Sequence, residues 1–123
     1  MSTPDEIVAA ELQRLSAAFV AQLPEQVQAV EEEAMAWLGA PRDAGRYEGL
    51  SHRLHQLKGA GSTFGCPGIS RAAREFERRI AEYRGDLQAG RVPAAEDVES
   101  AIAELQNEAR RVRTESGGPE ASP

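Results

Sequence analysis

Apolar residues recur at steps of three and four along most of the chain, and this period constrains the fold more than any other feature. It is the 3.6-residue period of an amphipathic helix, and no segment shows the polar-apolar alternation of a strand. Proline and glycine interrupt the period, and such residues end helices or occupy their first turn. The interruptions are Pro24, Gly39-Ala40-Pro41, Gly65-Cys66-Pro67-Gly68 and Gly90-Arg91-Val92-Pro93, with Pro4 opening the first segment.

Five helices are therefore predicted, and the chain is expected to be all-α. Short connections make consecutive helices antiparallel, so the second to fifth helices predict an up-down antiparallel four-helix bundle. The additional N-terminal helix is expected to end at Pro24 and to pack against or across the bundle. Its apolar stripe consists of Val8, Leu12, Leu15 and Phe19.

Size and charge limit the class of protein. A chain of 123 residues fits one domain, predicted over residues 1–115, and residues 116–123 have the composition of a disordered tail or linker. A single cysteine and the absence of a secretory signal pattern favour a cytoplasmic protein. No apolar stretch approaches the roughly 20 residues that cross a bilayer, and the net charge of -6 disfavours nucleic acid or an anionic membrane. We expect a protein partner.

His55 lies on the third predicted helix, away from the core. The apolar stripe of this helix consists of Leu50, Leu54, Leu57 and Gly61. On a helical wheel His55 lies roughly 130° from the middle of that stripe, so its imidazole should face solvent. Lys58 follows one turn later, where its ammonium can neutralise an anion near the imidazole.

Gly59 is unfavourable inside a helix, where glycine costs about 1 kcal/mol relative to alanine. Helical side chains lean towards the N-terminus, so a side chain at position 59 would lie over His55. Glycine leaves the imidazole uncovered and open to an incoming active site. Gly61, on the core stripe, is interpreted as a site of close packing between helices.

The segment from His55 to Gly65, His-Gln-Leu-Lys-Gly-Ala-Gly-Ser-Thr-Phe-Gly, resembles the signature of histidine phosphotransfer (HPt) domains. Its last five residues are also similar to the N-terminal phosphotransfer domain of chemotaxis kinases. The resemblance extends from about Leu15 to about Leu105. It implies phosphorylation of His55 on Nε2 and exchange with the aspartate of a response-regulator receiver domain. The motif's lysine falls on Lys58 and its glycine on Gly59.

The same resemblance implies a phosphocarrier without kinase activity of its own. Its partners would be a receiver domain and a histidine kinase, hybrid kinases included. No cofactor is expected in this chain, because Mg2+ would belong to the receiver, and we expect a monomer. Two alternatives stay open: the N-terminal phosphotransfer segment of a larger chemotaxis-type histidine kinase, and a helical adaptor that is never phosphorylated.

Glu77 is the predicted neighbour of His55. It lies ten residues after Pro67, and His55 lies ten before Gly65, so on antiparallel helices the two should be level. A carboxylate that accepts a hydrogen bond from Nδ1-H would leave Nε2 free as the nucleophile. The HPt family carries glutamine or glutamate at this offset, in agreement with the geometry.

Basic residues of the fourth helix, Arg71, Arg74 and Arg78, are candidates for docking to the acidic pocket of a receiver. The acidic run 31–33 could pair with them instead. His52 shares the exposed side of His55 but lacks a lysine and a glycine at the matching offsets. No metal site is expected, because Cys66 should lie about 16 Å from the imidazole of His55.

Overall fold

The computed structural model describes residues 3–116, which form four helices and no strand. Their bounds are Pro4–Gly39 for α1, Ala44–Thr63 for α2, Pro67–Gln88 for α3 and Ala95–Glu115 for α4. The predicted all-α class is confirmed. The predicted disordered tail lies outside the described residues, apart from Ser116 in the turn that ends α4.

The four helices form the predicted antiparallel bundle. Each helix packs against the next, and α4 returns to α1 to close the ring. The core comes from the predicted apolar stripes, because each stripe can only be buried against its neighbours. The largest fully buried side chains are Trp37, Phe76, Leu23, Leu50, Leu54, Ile69, Ile80 and Leu105.

The connections begin and end where glycine and proline predicted. Asp43 caps α2 by accepting a hydrogen bond from the backbone N-H of Arg46 at 3.2 Å. Gly65 has a φ of 74°, a left-handed conformation that favours glycine, and it lets the chain reverse between α2 and α3. Pro67 then occupies the first turn of α3, where its missing N-H costs nothing.

The predicted break at Pro24 is wrong, because α1 runs without interruption through this residue. Pro24 is exposed, so the carbonyl of Val20, which loses its intrahelical donor, can be hydrated. An interior proline costs about 3 kcal/mol, whereas each large apolar side chain contributes about 1.5–3 kcal/mol on burial. Leu23 and Val27 are buried on either side of the proline, and together they outweigh its cost.

The continuity of α1 also overturns the predicted packing of an additional N-terminal helix against the bundle. Residues 4–18, here called the N-terminal arm, contain no buried side chain and continue α1 beyond Phe19. Because α1 is one continuous helix, its first turns cannot fold back across the bundle. None of the helices within residues 3–116 is long and apolar enough to cross a membrane.

Candidate functional site

The helix α2 presents His55 as its sequence predicts. Leu54 is fully buried and Leu57 is nearly so, whereas His55 between them is exposed. Gly61 completes the buried stripe at the end of the helix. The imidazole therefore lies on the solvent side of a helix whose opposite face is fixed in the core.

A shallow, open depression lies beside His55, between α2 and α3. It is lined by Tyr47, Glu48, Ser51, His52, His55 and Glu77. The structure thus brings His55 and Glu77 to one depression, as the counting of residues from the turn predicts. Within residues 3–116, no group of three or more His, Cys, Asp or Glu side chains could hold a metal ion.

Lys58 and Glu77 form an ion pair that joins α2 to α3. The Lys58 Nζ lies 3.0 Å from Glu77 Oε1, and the two side chains are 28% and 23% exposed. Oε1 is buried and has no aligned hydrogen-bond donor, so the contact is an ion pair without hydrogen-bond geometry. Because both side chains are partly buried, solvent and salt screen this ion pair less than they would screen a pair at the surface. It holds the ammonium one turn from the imidazole.

The predicted hydrogen bond between Glu77 and the Nδ1-H of His55 is not formed in this structure. The carboxylate of Glu77 contacts Lys58 instead. The ammonium of Lys58 attracts this carboxylate more strongly than a neutral ring N-H would, because it is charged. Glu77 is therefore close to the site, but its contact is with the lysine.

The two glycines of the motif lie in opposite surroundings. A Cβ at Gly59 would meet no atom within 4 Å, so the helix surface there is open. A Cβ at Gly61 would lie 3.0 Å from the Ser70 nitrogen and 3.1 Å from the Cys66 oxygen. The prediction of close packing at Gly61 is confirmed. At Gly59 only a side chain longer than alanine could cover the imidazole.

The three candidate docking arginines differ in their partners. Arg78 forms ion pairs with Glu75 and Glu82 of its own helix. The hydrogen bond from Arg78, with a further one from Arg79, lowers the pKa of the Glu75 carboxyl to about 2. Arg78 is thus already neutralised.

Arg71 and Arg74 are both exposed. Arg71 contributes to lowering the pKa of the Glu108 carboxyl, after the larger effect of Arg111. Arg74 has no ion pair or hydrogen bond with any residue in the described part of the chain. Among the three candidate docking arginines, Arg74 therefore has the guanidinium that is most available to a partner.

The acidic run 31–33 does not pair with these arginines. Glu33 pairs with Arg53 of α2 at 2.8 Å, which ties α1 to α2.

The sequence did not indicate that Tyr47 lines the depression. The Cζ atom of Arg84 lies over the ring of Tyr47, 4.3 Å from its centre. The only signal for Tyr47 was its position three residues before Leu50, which predicts a stripe residue and nothing about its ring.

A four-helix bundle that presents an exposed histidine beside an ammonium and an open glycine is the arrangement that the sequence analysis expects of a phosphocarrier. Comparison with family models matches the Hpt domain over residues 14–115, and the chain belongs to this family. Comparisons with curated proteins and with solved structures gave no match. Hpt domains act in histidine phosphotransfer within phosphorelays and are phosphocarriers, not kinases. They interact with kinases and receiver domains of two-component systems.

Proposed function

We propose that this chain is a cytoplasmic phosphocarrier that accepts a phosphoryl group on Nε2 of His55 and exchanges it with the aspartate of a response-regulator receiver domain. The open approach to His55 is the observation that carries the proposal. The imidazole is exposed, it borders a shallow depression, and the helix surface at Gly59 is open. A globular partner can therefore bring its own active site to the ring.

In the proposed step the imidazole of His55 is the one group of this chain that forms or breaks a bond. The Nε2 lone pair attacks the phosphorus of an aspartyl phosphate, an N-P bond forms and the P-O bond to the aspartate breaks. The carboxylate leaves with the bonding electron pair, and the ring keeps its Nδ1-H and becomes cationic. The receiver supplies Mg2+, and the reverse step returns the phosphoryl group.

Lys58 is proposed to neutralise the phosphoryl group on His55. Its ammonium lies one turn along α2 from the imidazole and is held near the site by Glu77. A phosphoryl group carries more negative charge than a carboxylate, so it can compete with Glu77 for the ammonium. Phosphorylation of His55 would then weaken the ion pair between Lys58 and Glu77.

Glu77 is proposed to act as a positioning residue once Lys58 turns to the phosphoryl group. Its carboxylate lines the same depression as His55, so a change of side-chain conformation could bring it to Nδ1-H. The hydrogen bond would stabilise the positive charge that the ring gains. In this account Glu77 exchanges one cationic partner for another.

Arg71 and Arg74 are proposed to contribute to receiver docking, because both are exposed on α3 and their charge opposes that of an acidic pocket. Arg78 is a weaker candidate, since Glu75 and Glu82 already neutralise it. Charge reversal of Arg74 should therefore slow association with a receiver more than charge reversal of Arg78.

Transfer from radiolabelled, phosphorylated receiver domains tests the proposal, with His55→Gln compared with His52→Gln. The two histidines are one turn apart, both exposed and both at the depression, so His52 is a matched control. We expect His55→Gln to abolish labelling and His52→Gln to retain it, with an acid-labile, base-stable label. Both variants should stay folded, because exposed helix positions tolerate glutamine within about 0.5 kcal/mol.

Two outcomes would contradict the proposal. Labelling that survives in His55→Gln and is lost in His52→Gln would move the site to the other histidine. A folded wild-type chain that takes label neither from any receiver of its host nor from phosphoramidate would favour the non-phosphorylated adaptor.

A further inference from the structure

A second depression adjoins the one beside His55. It lies where α2 begins and α3 ends, and it is lined by Pro41, Arg42, Asp43, Ala44, Tyr47, Arg84, Leu87 and Gln88. Tyr47 lines both depressions, so the two form one groove between α2 and α3. Along α2, Tyr47 lies eight residues before His55, a distance of about 12 Å.

The guanidinium of Arg84 is held in a defined place in this groove. Its Cζ atom lies 4.3 Å from the centre of the Tyr47 ring, which is the geometry of a cation-π contact, and the side chain is partly buried. Arg84 follows Glu77 by seven residues, two helical turns, so both lie on the same side of α3. Arg84 is therefore level with Tyr47, as Glu77 is level with His55.

Neither arginine of the second depression has a carboxylate partner. Among residues 3–116, Arg84 and Arg42 form no ion pair and no hydrogen bond. Asp43, which lines the same depression, already pairs with Arg46 and accepts its backbone N-H. Acidic residues outnumber basic ones in this chain, 20 to 14, so two neighbouring arginines without a carboxylate are unexpected. Both are available to an acidic group from outside the chain.

The size and surroundings of the second depression restrict what can fill it. Its volume is about 170 Å³, below the roughly 300–1,000 Å³ of pockets that bind small molecules. One acidic side chain fits such a space, and a planar guanidinium binds a carboxylate through two parallel hydrogen bonds. Nucleic acid or an anionic membrane would meet Asp43 and Glu48 beside the arginines, on a chain of net charge -6. The favoured occupant is an acidic side chain of a protein.

We propose that Arg84, held by Tyr47, binds an acidic side chain of the receiver domain that docks at His55. Arg42 contributes a second positive charge to the same contact. The proposal rests on the phosphotransfer function proposed above. A protein interface of standard size covers about 800 Å² on each partner, which is a disc about 16 Å in radius. A receiver centred on His55 therefore also covers the Tyr47 and Arg84 pair, about 12 Å away.

The proposed contact determines specificity and takes no part in bond formation. At about 12 Å along the groove, Arg84 is too far from Nε2 of His55 to touch the transferred phosphoryl group. It should therefore change the affinity of the complex and leave the chemical step unchanged. A receiver with a basic residue at this point would be repelled, so the contact discriminates between receivers.

Transfer from a phosphorylated receiver domain to Arg84→Gln, at varied receiver concentration, tests the contact. The receiver is the one that labels the wild-type chain most rapidly. We expect the receiver concentration at half-maximal rate to rise about tenfold, because a hydrogen bond between charged groups contributes about that factor to affinity. The maximal rate should equal that of wild type. The difference between the two chains should shrink as salt is added, since salt screens the charges.

Arg110→Gln is the matched control, because it removes the same charge elsewhere on the bundle. Arg110 is exposed on α4, which lies diagonally opposite α2 in the ring of helices. Its substitution should leave both the half-saturating receiver concentration and the maximal rate unchanged. Phosphoramidate should label His55 at the same rate in wild type and in both variants, because a small donor needs no docking contact.

Three results would overturn the proposed contact. The first is an equal half-saturating receiver concentration for wild type and Arg84→Gln. The second is an equal increase in Arg84→Gln and Arg110→Gln, which would show an effect of net charge alone. The third is slower labelling of Arg84→Gln by phosphoramidate, because the substitution would then disturb His55 itself. A wild-type chain that takes no label from any receiver would refute the phosphotransfer function as well, so the two failures are distinct.

Discussion

Alanine at Gly59 and at Gly61 of α2 should change stability in opposite directions, although the positions are two residues apart. At Gly59 a Cβ meets nothing within 4 Å, so alanine removes the glycine penalty without a clash. We expect Gly59→Ala to raise the free energy of unfolding by up to about 1 kcal/mol.

At Gly61 the added Cβ would lie 3.0 Å and 3.1 Å from two backbone atoms at the start of α3. Backbone atoms cannot rotate away, so α2 and α3 must separate, and such overpacking costs about 1–3 kcal/mol. The gain in helix propensity offsets about 1 kcal/mol of this cost. We therefore expect Gly61→Ala to lower the free energy of unfolding by up to about 2 kcal/mol.

Thermal melting of both variants measures the difference, which should be up to about 12 °C in Tm, since the two free energies of unfolding differ by up to about 3 kcal/mol and 1 kcal/mol shifts a domain of this size by about 4 °C. Equal melting temperatures would refute the packing argument.

Gly59→Leu tests whether phosphotransfer needs the open space at Gly59. The leucine side chain should obstruct the approach of a receiver domain but still admit phosphoramidate. Wild-type transfer from a receiver to folded Gly59→Leu would show that open space at Gly59 is not required.

Three other substitutions or reactions test separate parts of the structure. Glu77→Ala should slow receiver-dependent transfer without preventing it, and Glu77→Gln should slow it less, because its carbonyl can accept a hydrogen bond from Nδ1-H of His55. Equal transfer rates for wild type, Glu77→Ala and Glu77→Gln would show that Glu77 has no positioning role. Pro24→Ala should raise the free energy of unfolding by about 2–3 kcal/mol in denaturant titrations, because a new N-H can bond the Val20 carbonyl while the unfolded chain gains at most about 1 kcal/mol of conformational freedom; a decrease would contradict the cost assigned to this proline. Burial raises the pKa of the Cys66 thiol, so a thiol reagent at mildly alkaline pH should modify the native chain far more slowly than the unfolded chain; equal rates would place Cys66 at the surface.

Much of the fold follows from the sequence because its signals are local. Gly65 and Gly90 adopt left-handed conformations at two of the predicted turns, and the predicted stripe of α2, from Leu50 to Gly61, is buried. The break predicted at Pro24 is wrong because a proline interrupts a helix only where the burial of neighbouring apolar side chains does not outweigh its cost. Leu23 and Val27 hold α1 together, and only the packed structure shows this.

The site was predictable in position but not in its contacts. Counting from the turn placed His55 and Glu77 at the same level, and both line one depression. The choice of Lys58 as the partner of Glu77 depends on side-chain conformations, which spacing does not determine. For the same reason the sequence could not show that Arg78 pairs within its own helix.

The central claim, phosphorylation of His55 on Nε2, can be measured directly in the intact chain. Phosphoramidate treatment followed by 15N-resolved NMR of the imidazole nitrogens reports which ring and which nitrogen carries phosphorus. The account predicts one new N-P resonance, on Nε2 of His55, while the ring of His52 stays unchanged. Phosphorus on His52, on Nδ1 of His55, or on neither histidine of a fully folded chain would contradict it.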